Sequence, residues 1–205
     1  MNYFITAIDT DSGKTLASAI ITEALQADYW KPIQAGKPTD SDMVKSLINP
    51  ELTIHKEAYL LKKPASPHHA ADVENIKINL DDIELPQTTN KLVIEGAGGM
   101  LVPINDHDVV IDMATKYNCK VILVSNLYLG SINHTLLTLE ALERRGLMPV
   151  GIIFNGDTNP SSEEIILKKF NIPVLLHIKK EVKITPELVK RYATVLKKRW
   201  NELDL

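Results

Sequence analysis

At 205 residues, with 44% hydrophobic residues and a formal net charge of −3, the chain can bury one substantial core and offers no basic excess for nucleic acid or an anionic membrane. No run approaches the roughly eighteen apolar residues of a membrane-spanning helix, and the single cysteine, Cys119, excludes an intramolecular disulfide. With the first strand opening within two residues of Met1, no signal peptide is expected, and a reducing, cytoplasmic setting fits.

An apolar strand is predicted over Tyr3–Ala7 and a helix over Lys14–Leu25. Between them, Thr6-Ala7-Ile8-Asp9-Thr10-Asp11-Ser12-Gly13-Lys14-Thr15 is a variant phosphate-binding loop without the usual first glycine. Its backbone N–H groups and the helix N-terminus can wrap a polyphosphate, Lys14 would reach the β- and γ-phosphates, and the Thr15 hydroxyl would ligate Mg²⁺. An ordinary strand–turn–helix corner with a solvated lysine is the alternative. A second strand, Tyr29–Lys31, ends in a lysine that the turn Pro32-Ile33-Gln34-Ala35-Gly36 would aim into a crevice, though such a lysine also suits a solvated edge. Asp40-Ser41-Asp42 opens a helix over Asp40–Leu47, where Asp40 and Ser41 fit capping positions equally well. Lys56–Thr89, with Pro64, Pro67 and Pro86, is the least regular stretch and is read as an excursion over the ligand-binding edge of the sheet.

The strand Leu92–Glu95 ends in an acid followed by Gly96-Ala97-Gly98-Gly99, small enough for backbone to approach a phosphate. An unpaired buried carboxylate is expensive, and Mg²⁺ would relieve that cost, with Thr15, Asp42 and Glu95 as its ligands. Further on, helices are predicted over Val109–Tyr117, Ile132–Arg145 and Glu163–Lys169, and strands over Val121–Ser125, Val150–Phe154 and Val174–His177. Cys119 opens the run Lys120-Val121-Ile122-Leu123-Val124, the first of these three strands, and is read as a structural thiol. Asn155-Gly156 after the fifth strand could read an adenine edge or form a turn. Ser161-Ser162-Glu163-Glu164 has the spacing of a capping box, and Thr185-Pro186-Glu187 starts a C-terminal helix running towards Trp200. His68, His69, His107 and His134 show no metal-ligand spacing, and the basic residues of the last helix read as a solvated face. The alternation of strands and helices predicts an α/β fold, a doubly wound, mostly parallel sheet of the P-loop nucleoside-triphosphate hydrolase type, in a single domain over residues 1–205. Ligands then belong at the C-terminal ends of the strands.

Five blocks in order, namely Ala7–Thr15, Lys31–Gly36, Ser66-Pro67-His68, Glu95–Gly99 and Leu129-Gly130-Ser131-Ile132-Asn133-His134, resemble the dethiobiotin synthetases of the biotin pathway, from residue 3 to about residue 178. That resemblance implies ATP- and Mg²⁺-dependent closure of a ureido ring from 7,8-diaminononanoate and CO2, through a carbamate and a carbamic–phosphoric anhydride. It implies that Asp11, Ser12, Gly13, Lys14, Thr15 and Leu16 cradle the nucleotide with Glu95, Gly96, Ala97 and Gly98, while Asn155, Gly156, Lys179, Lys180 and Glu181 border the base. Thr15, Asp42 and Glu95 would carry the metal, and Lys31 would neutralise carbamate and phosphate charge with Lys14. Thr10 and Ala35 would lie beside the substrate, whose carboxylate Gly130, Ser131, Ile132 and Asn133 would take from the partner subunit of a homodimer.

The chain departs from the family pattern in three places: Ala7-Ile8 stands for Gly-Thr, Ala35 for a hydroxyl residue, and Lys179-Lys180 for a proline-containing turn. A partitioning-type ATPase is the nearest rival, but such proteins carry a signature lysine where this chain has Asp9. A cobyrinate-type amide synthetase would need a glutaminase domain with its nucleophilic cysteine, and none follows. A non-catalytic nucleotide-binding protein is the third alternative, and turnover separates it.

Overall fold

A computed structural model describes all 205 residues. In chain order the elements are β1 (Asn2–Ala7), α1 (Lys14–Leu25), β2 (Asp28–Trp30), β3 (Ile33–Ala35), α2 (Asp40–Leu47), β4 (Ile54–His55), β5 (Tyr59–Leu61) and α3 (Pro67–Val73). After a 3-10 turn at Leu80–Asp82 come β6 (Leu92–Glu95), α4 (Asp112–Lys116), β7 (Lys120–Asn126), α5 (Ser131–Arg144), β8 (Gly151–Asn155), α6 (Pro160–Lys169), β9 (Val174–Ile178) and α7 (Pro186–Glu202). Seven strands form one sheet in the order β4-β2-β6-β1-β7-β8-β9, and every neighbouring pair is parallel. The α/β parallel architecture is therefore the one predicted. β3 and β5 make a separate two-stranded parallel sheet.

The near-continuous apolar runs are explained by burial on both faces. On β1, Tyr3, Ile5 and Ala7 pack into the layer with α1 and α7, while Phe4 faces the opposite layer with Trp30 and Val110. β6 divides likewise, with Val93 on the first side and Leu92 and Ile94 on the second. The C-terminal helix is pinned to the sheet by a Tyr3–Trp200 edge contact at 5.2 Å between ring centroids. Burial pushes the Cys119 thiol up to about 12, which leaves it un-ionised, as a packing residue.

Several boundaries differ from expectation for local reasons. β3, β4 and β5 are two or three residues long, too short to show alternation. α4 starts at Asp112 rather than Val109, because the Val109 N–H donates to the Asp112 carboxylate at 2.8 Å and Val109 bridges to Pro103. α6 starts at Pro160, with Asn159 rather than a serine as its cap: the Asn159 side chain accepts from Ser162 N–H at 3.1 Å, and Glu163 accepts from Asn159 N–H at 3.0 Å. Thr185 caps α7 as predicted, accepting from Leu188 N–H at 3.2 Å. No helix is long and apolar enough to cross a membrane.

Candidate functional site

β1 delivers the chain to the loop at residues 8–13, and α1 leaves it at Lys14. Gly13 holds the turn at φ +91°, and a Cβ there would meet the Asn155 amide nitrogen at 2.2 Å, so both conformation and space require glycine. The loop is fastened from β7 and β8: Ser12 Oγ donates to Asn126 at 2.8 Å, and Asn155 Nδ2 donates to the Ser12 carbonyl at 2.9 Å. Lys14 Nζ donates back to the carbonyls of Asp9 (3.0 Å) and Thr10 (2.8 Å). Its burial, together with the Lys31 ammonium, brings its pKa down to about 8, against the opposing pull of Glu95, Asp40 and Asp11.

Opposite the loop, the ends of β2 and β6 and the start of α2 bring a second set of charges together. Lys31 Nζ donates to Asp40 Oδ2 at 2.8 Å, to Glu95 Oε1 at 3.1 Å and to the Gly96 carbonyl at 2.9 Å. Burial opposes its charge, yet the two carboxylates outweigh that and raise its pKa above the usual lysine value. Asp40 lies below the usual carboxylate range for the reciprocal reason: burial would raise it, but Lys31, Thr15 and Lys14 pull it down. The Thr15 hydroxyl stands 2.9 Å from Asp40 Oδ1 and 3.0 Å from Glu95 Oε1, so it can donate to either. Tyr29 donates to the other Glu95 oxygen, Oε2, at 2.9 Å. Gln34 fixes the start of α2, its Oε1 accepting from Asp40 N–H at 3.0 Å.

Two cavities meet at this cluster. One, of about 670 Å³, runs from the phosphate loop past Leu16 and Met43 to Asn155, Gly156 and Lys179–Glu181. The other, of about 430 Å³, is lined by Gln34, Ala35, Ser66, Pro67 and Ala97. Thr10, Lys31, Asp40 and Gly98 line both. A long polar cleft at the C-terminal ends of parallel strands thus adjoins a second chamber across a lysine and a carboxylate.

The AAA domain family matches residues 1–188. The ATP-dependent dethiobiotin synthetase BioD of Cytophaga hutchinsonii is 58% identical over 203 residues, covering 98% of this chain and 98% of that one. That of Christiangramia forsetii is 48% identical over 205 residues, covering 98% and 99%. The chain belongs to the dethiobiotin synthetase family. Among solved structures, the cell division ATPase MinD of Pyrococcus furiosus superposes with a TM-score of 0.61 at 14% identity, covering 99% of this chain and all of that one. A putative plasmid partition protein of Borrelia burgdorferi bound to AMPPNP gives 0.58 at 12% identity, covering 99% and 97%. These likenesses show the fold alone, a P-loop ATPase fold of the MinD and ParA kind, which the rival reading shares with dethiobiotin synthetases.

The structure brings to the cluster a different aspartate from the one expected from the sequence. Asp40, not Asp42, stands beside Thr15 and Glu95. Asp42 faces a separate cavity with Lys37, Lys45, His55 and Lys56. Thr39-Asp40-Ser41-Asp42 carries the signal that separates the two, because Thr39 caps α2 by accepting from Asp42 N–H at 3.0 Å, which makes Asp40 the first helical residue. Gln34 and Tyr29 are further members that sequence reasoning passed over. Asp11, Gly13, Leu16, Asn155, Gly156, Lys179, Lys180 and Glu181 line the larger cavity, while the Ser12 side chain is turned away towards Asn126. Gly96 serves through its carbonyl, and Ala35 and Ala97 line the smaller cavity.

Gly130, Ser131, Ile132 and Asn133 line neither cavity. The Ser131 N–H is engaged by the Tyr128 carbonyl at 3.0 Å and its side chain is buried, whereas Asn133 is exposed.

Proposed function

We propose that this chain is an ATP-dependent dethiobiotin synthetase that closes the ureido ring of dethiobiotin from 7,8-diaminononanoate and CO2. The observation that carries the reading is the junction: Lys31, Thr10, Asp40 and Gly98 line both a phosphate-loop cleft and a second chamber. A phosphoryl group placed at Lys14 would lie next to whatever fills that chamber. The diamine, carrying CO2 as a carbamate on one nitrogen, occupies the smaller cavity; its carbamate oxygen attacks the γ-phosphorus and ADP leaves. The second amine then attacks the carbonyl carbon of the mixed anhydride, phosphate departs, and the amine loses a proton as the ring closes.

No side chain need bond covalently to the substrate in this sequence. The protein supplies position and fixed charge. Lys31, held protonated by Asp40 and Glu95, faces the carbamate and the oxygens of the transferring phosphoryl group. Lys14 exchanges its two loop carbonyls for phosphate oxygens. Thr15, Asp40 and Glu95 would hold Mg²⁺, since two carboxylates and a hydroxyl are the hard-oxygen set that ion takes alongside waters and phosphates. That both carboxylates pair with the Lys31 ammonium supports the reading. When bound, Mg²⁺ supplies charge neutralisation of the polyphosphate. Residues 130–133, which line neither cavity of their own chain, suit capture of the substrate carboxylate by a second copy in a homodimer.

Phosphate release from ATP, with diaminononanoate and bicarbonate omitted in turn, tests the reaction: release must require both. Release without the diamine would favour the partitioning-type reading. The shared site is tested by mixing Lys31→Ala with Asn133→Glu. After random subunit exchange about half the dimers are mixed, each with one intact site, so activity should return to about a quarter of the parent's. No recovery despite exchange would place both groups in one chain.

A further inference from the structure

We propose that Tyr29 is a positioning residue for Glu95: its hydroxyl fixes one carboxylate oxygen so that the other alone faces Thr15, Lys31 and the cation. The inference rests on the metal-binding role given to Glu95 above.

The geometry follows from the register of the sheet. β2 lies beside β6 in parallel, with Tyr29 opposite Val93. Tyr29 and Val93 share the layer packed under α1, and Glu95, two residues beyond Val93, projects from the same face. Two residues of strand rise span about 6.6 Å, close to the reach of a tyrosine side chain from Cβ to hydroxyl. The phenol therefore lies along the sheet and meets Glu95 Oε2 at 2.9 Å, while Oε1 is 3.0 Å from Thr15 Oγ1 and 3.1 Å from Lys31 Nζ. Serine or threonine in this place would be too short, and phenylalanine has no donor.

Both partners are buried, Tyr29 at 0% and Glu95 at 1% exposure, so the bond lies away from bulk solvent although Glu95 borders the larger cavity. A carboxyl group turns about a broad, two-fold torsion and gains no fixed orientation from packing alone. The hydroxyl supplies that orientation and also satisfies an oxygen that would otherwise be buried without a donor.

The test is Mn²⁺ affinity in the presence of ADP, read by calorimetry or by the paramagnetic resonance of free Mn²⁺. Tyr29→Phe should weaken Mn²⁺ binding about tenfold, the size of effect seen when the hydrogen-bond partner of a metal ligand is removed. In a Glu95→Gln background the same change should add nothing. Tyr29→Phe binding Mn²⁺ as tightly as the parent, while Glu95→Gln binds it weakly, overturns the positioning role and leaves the metal site standing. Undiminished binding in Glu95→Gln itself overturns the metal reading and this inference with it. Should Tyr29→Phe fail to fold, the double variant, which removes the charge left without a donor, should fold; an equally unfolded double variant would overturn the proposal.

Discussion

Strand β2 carries a buried charge at each end, and the two are satisfied differently. At its start, Asp28 accepts from Thr88 at 2.6 Å and from Asn90 at 3.2 Å, and stands 3.1 Å from a His55 ring nitrogen. Beyond its other end, Lys31 meets Asp40, Glu95 and the Gly96 carbonyl, while Lys14 has only backbone carbonyls. The first cluster is complete within the fold: Asp28, Thr88 and Asn90 line none of the main cavities, and only His55 borders one, the cavity that Asp42 faces. The second has two lysines lining a 670 Å³ cleft, one of them without a carboxylate partner. The same strand thus ends in a fastening on one side and in an unfinished anion site on the other.

The largest effect that would sharpen this contrast is on turnover. Lys31→Ala should lower kcat by about 10²–10³, the usual consequence of losing a group that stabilises developing charge. It also leaves Asp40 and Glu95 facing each other without their cation, so the variant should melt lower than the parent and recover part of that loss on adding Mg²⁺ and ADP. Near-normal kcat would reduce Lys31 to the same structural status as Asp28.

Next in size is the metal dependence. Asp40→Asn and Glu95→Gln should each shift activity to about tenfold higher Mg²⁺, because each keeps volume but removes charge from the oxygen set. Asp42→Asn should leave the Mg²⁺ titration unchanged, since its side chain faces the Lys37–Lys45–Lys56 cavity. A shift in Asp42→Asn alone would restore the ligand set expected from sequence.

That pair of aspartates shows where the sequence stops being legible. The strands that build the site, β1, β6, β7 and β8, announce themselves as apolar runs because the sheet is covered on both faces. The loop at residues 9–15 is readable for a related reason, that Gly13 and Lys14 sit in one continuous segment between such a strand and a helix. Asp40 and Asp42 differ only in rotation about α2, and with both acidic the choice depends on which residue caps the helix, a matter settled by Thr39. Tyr29 reads as one more apolar strand residue, since its hydroxyl acts across a strand pair rather than along the chain. Thr88 and Asn90 were hidden likewise: they reach Asp28 over a separation of 60 and 62 residues from a stretch without periodicity.

A smaller effect concerns Lys14, whose pKa of about 8 belongs to the nucleotide-free loop. Bound phosphates favour its charged form, so ATP binding should take up a proton as pH rises from about 8 towards the usual lysine value near 10.4, and affinity should fall through that window by at most about tenfold per pH unit. Calorimetry in buffers of different ionisation enthalpy measures the uptake, which Lys14→Met should abolish. The stability of the free protein runs the other way. Because the unfolded chain holds this proton to higher pH than the folded one, the Lys14 contribution to stability rises with pH across the same window. Identical proton uptake in Lys14→Met would assign the titration to another group.

The smallest effect on activity is expected at the opposite end of β2, where Asp28→Asn should leave kcat and the Mg²⁺ titration unchanged. Its cost should appear as about 1–3 kcal/mol of unfolding free energy, since the amide turns donors against Thr88 or Asn90. The acid limb of the stability curve makes the assignment specific. Burial alone would raise the Asp28 pKa, but hydrogen bonds from Thr88, His55 and Asn90 hold it below the usual carboxylate value. A carboxyl depressed on folding contributes stability that is fully present above its unfolded pKa of about 3.9 and is lost as pH falls through its folded one. Parent and Asp28→Asn should therefore differ most near neutrality and converge as the solution is acidified below about pH 4. A loss of turnover without loss of stability would mean that the two ends of β2 communicate, and the division between fastening and anion site would fail.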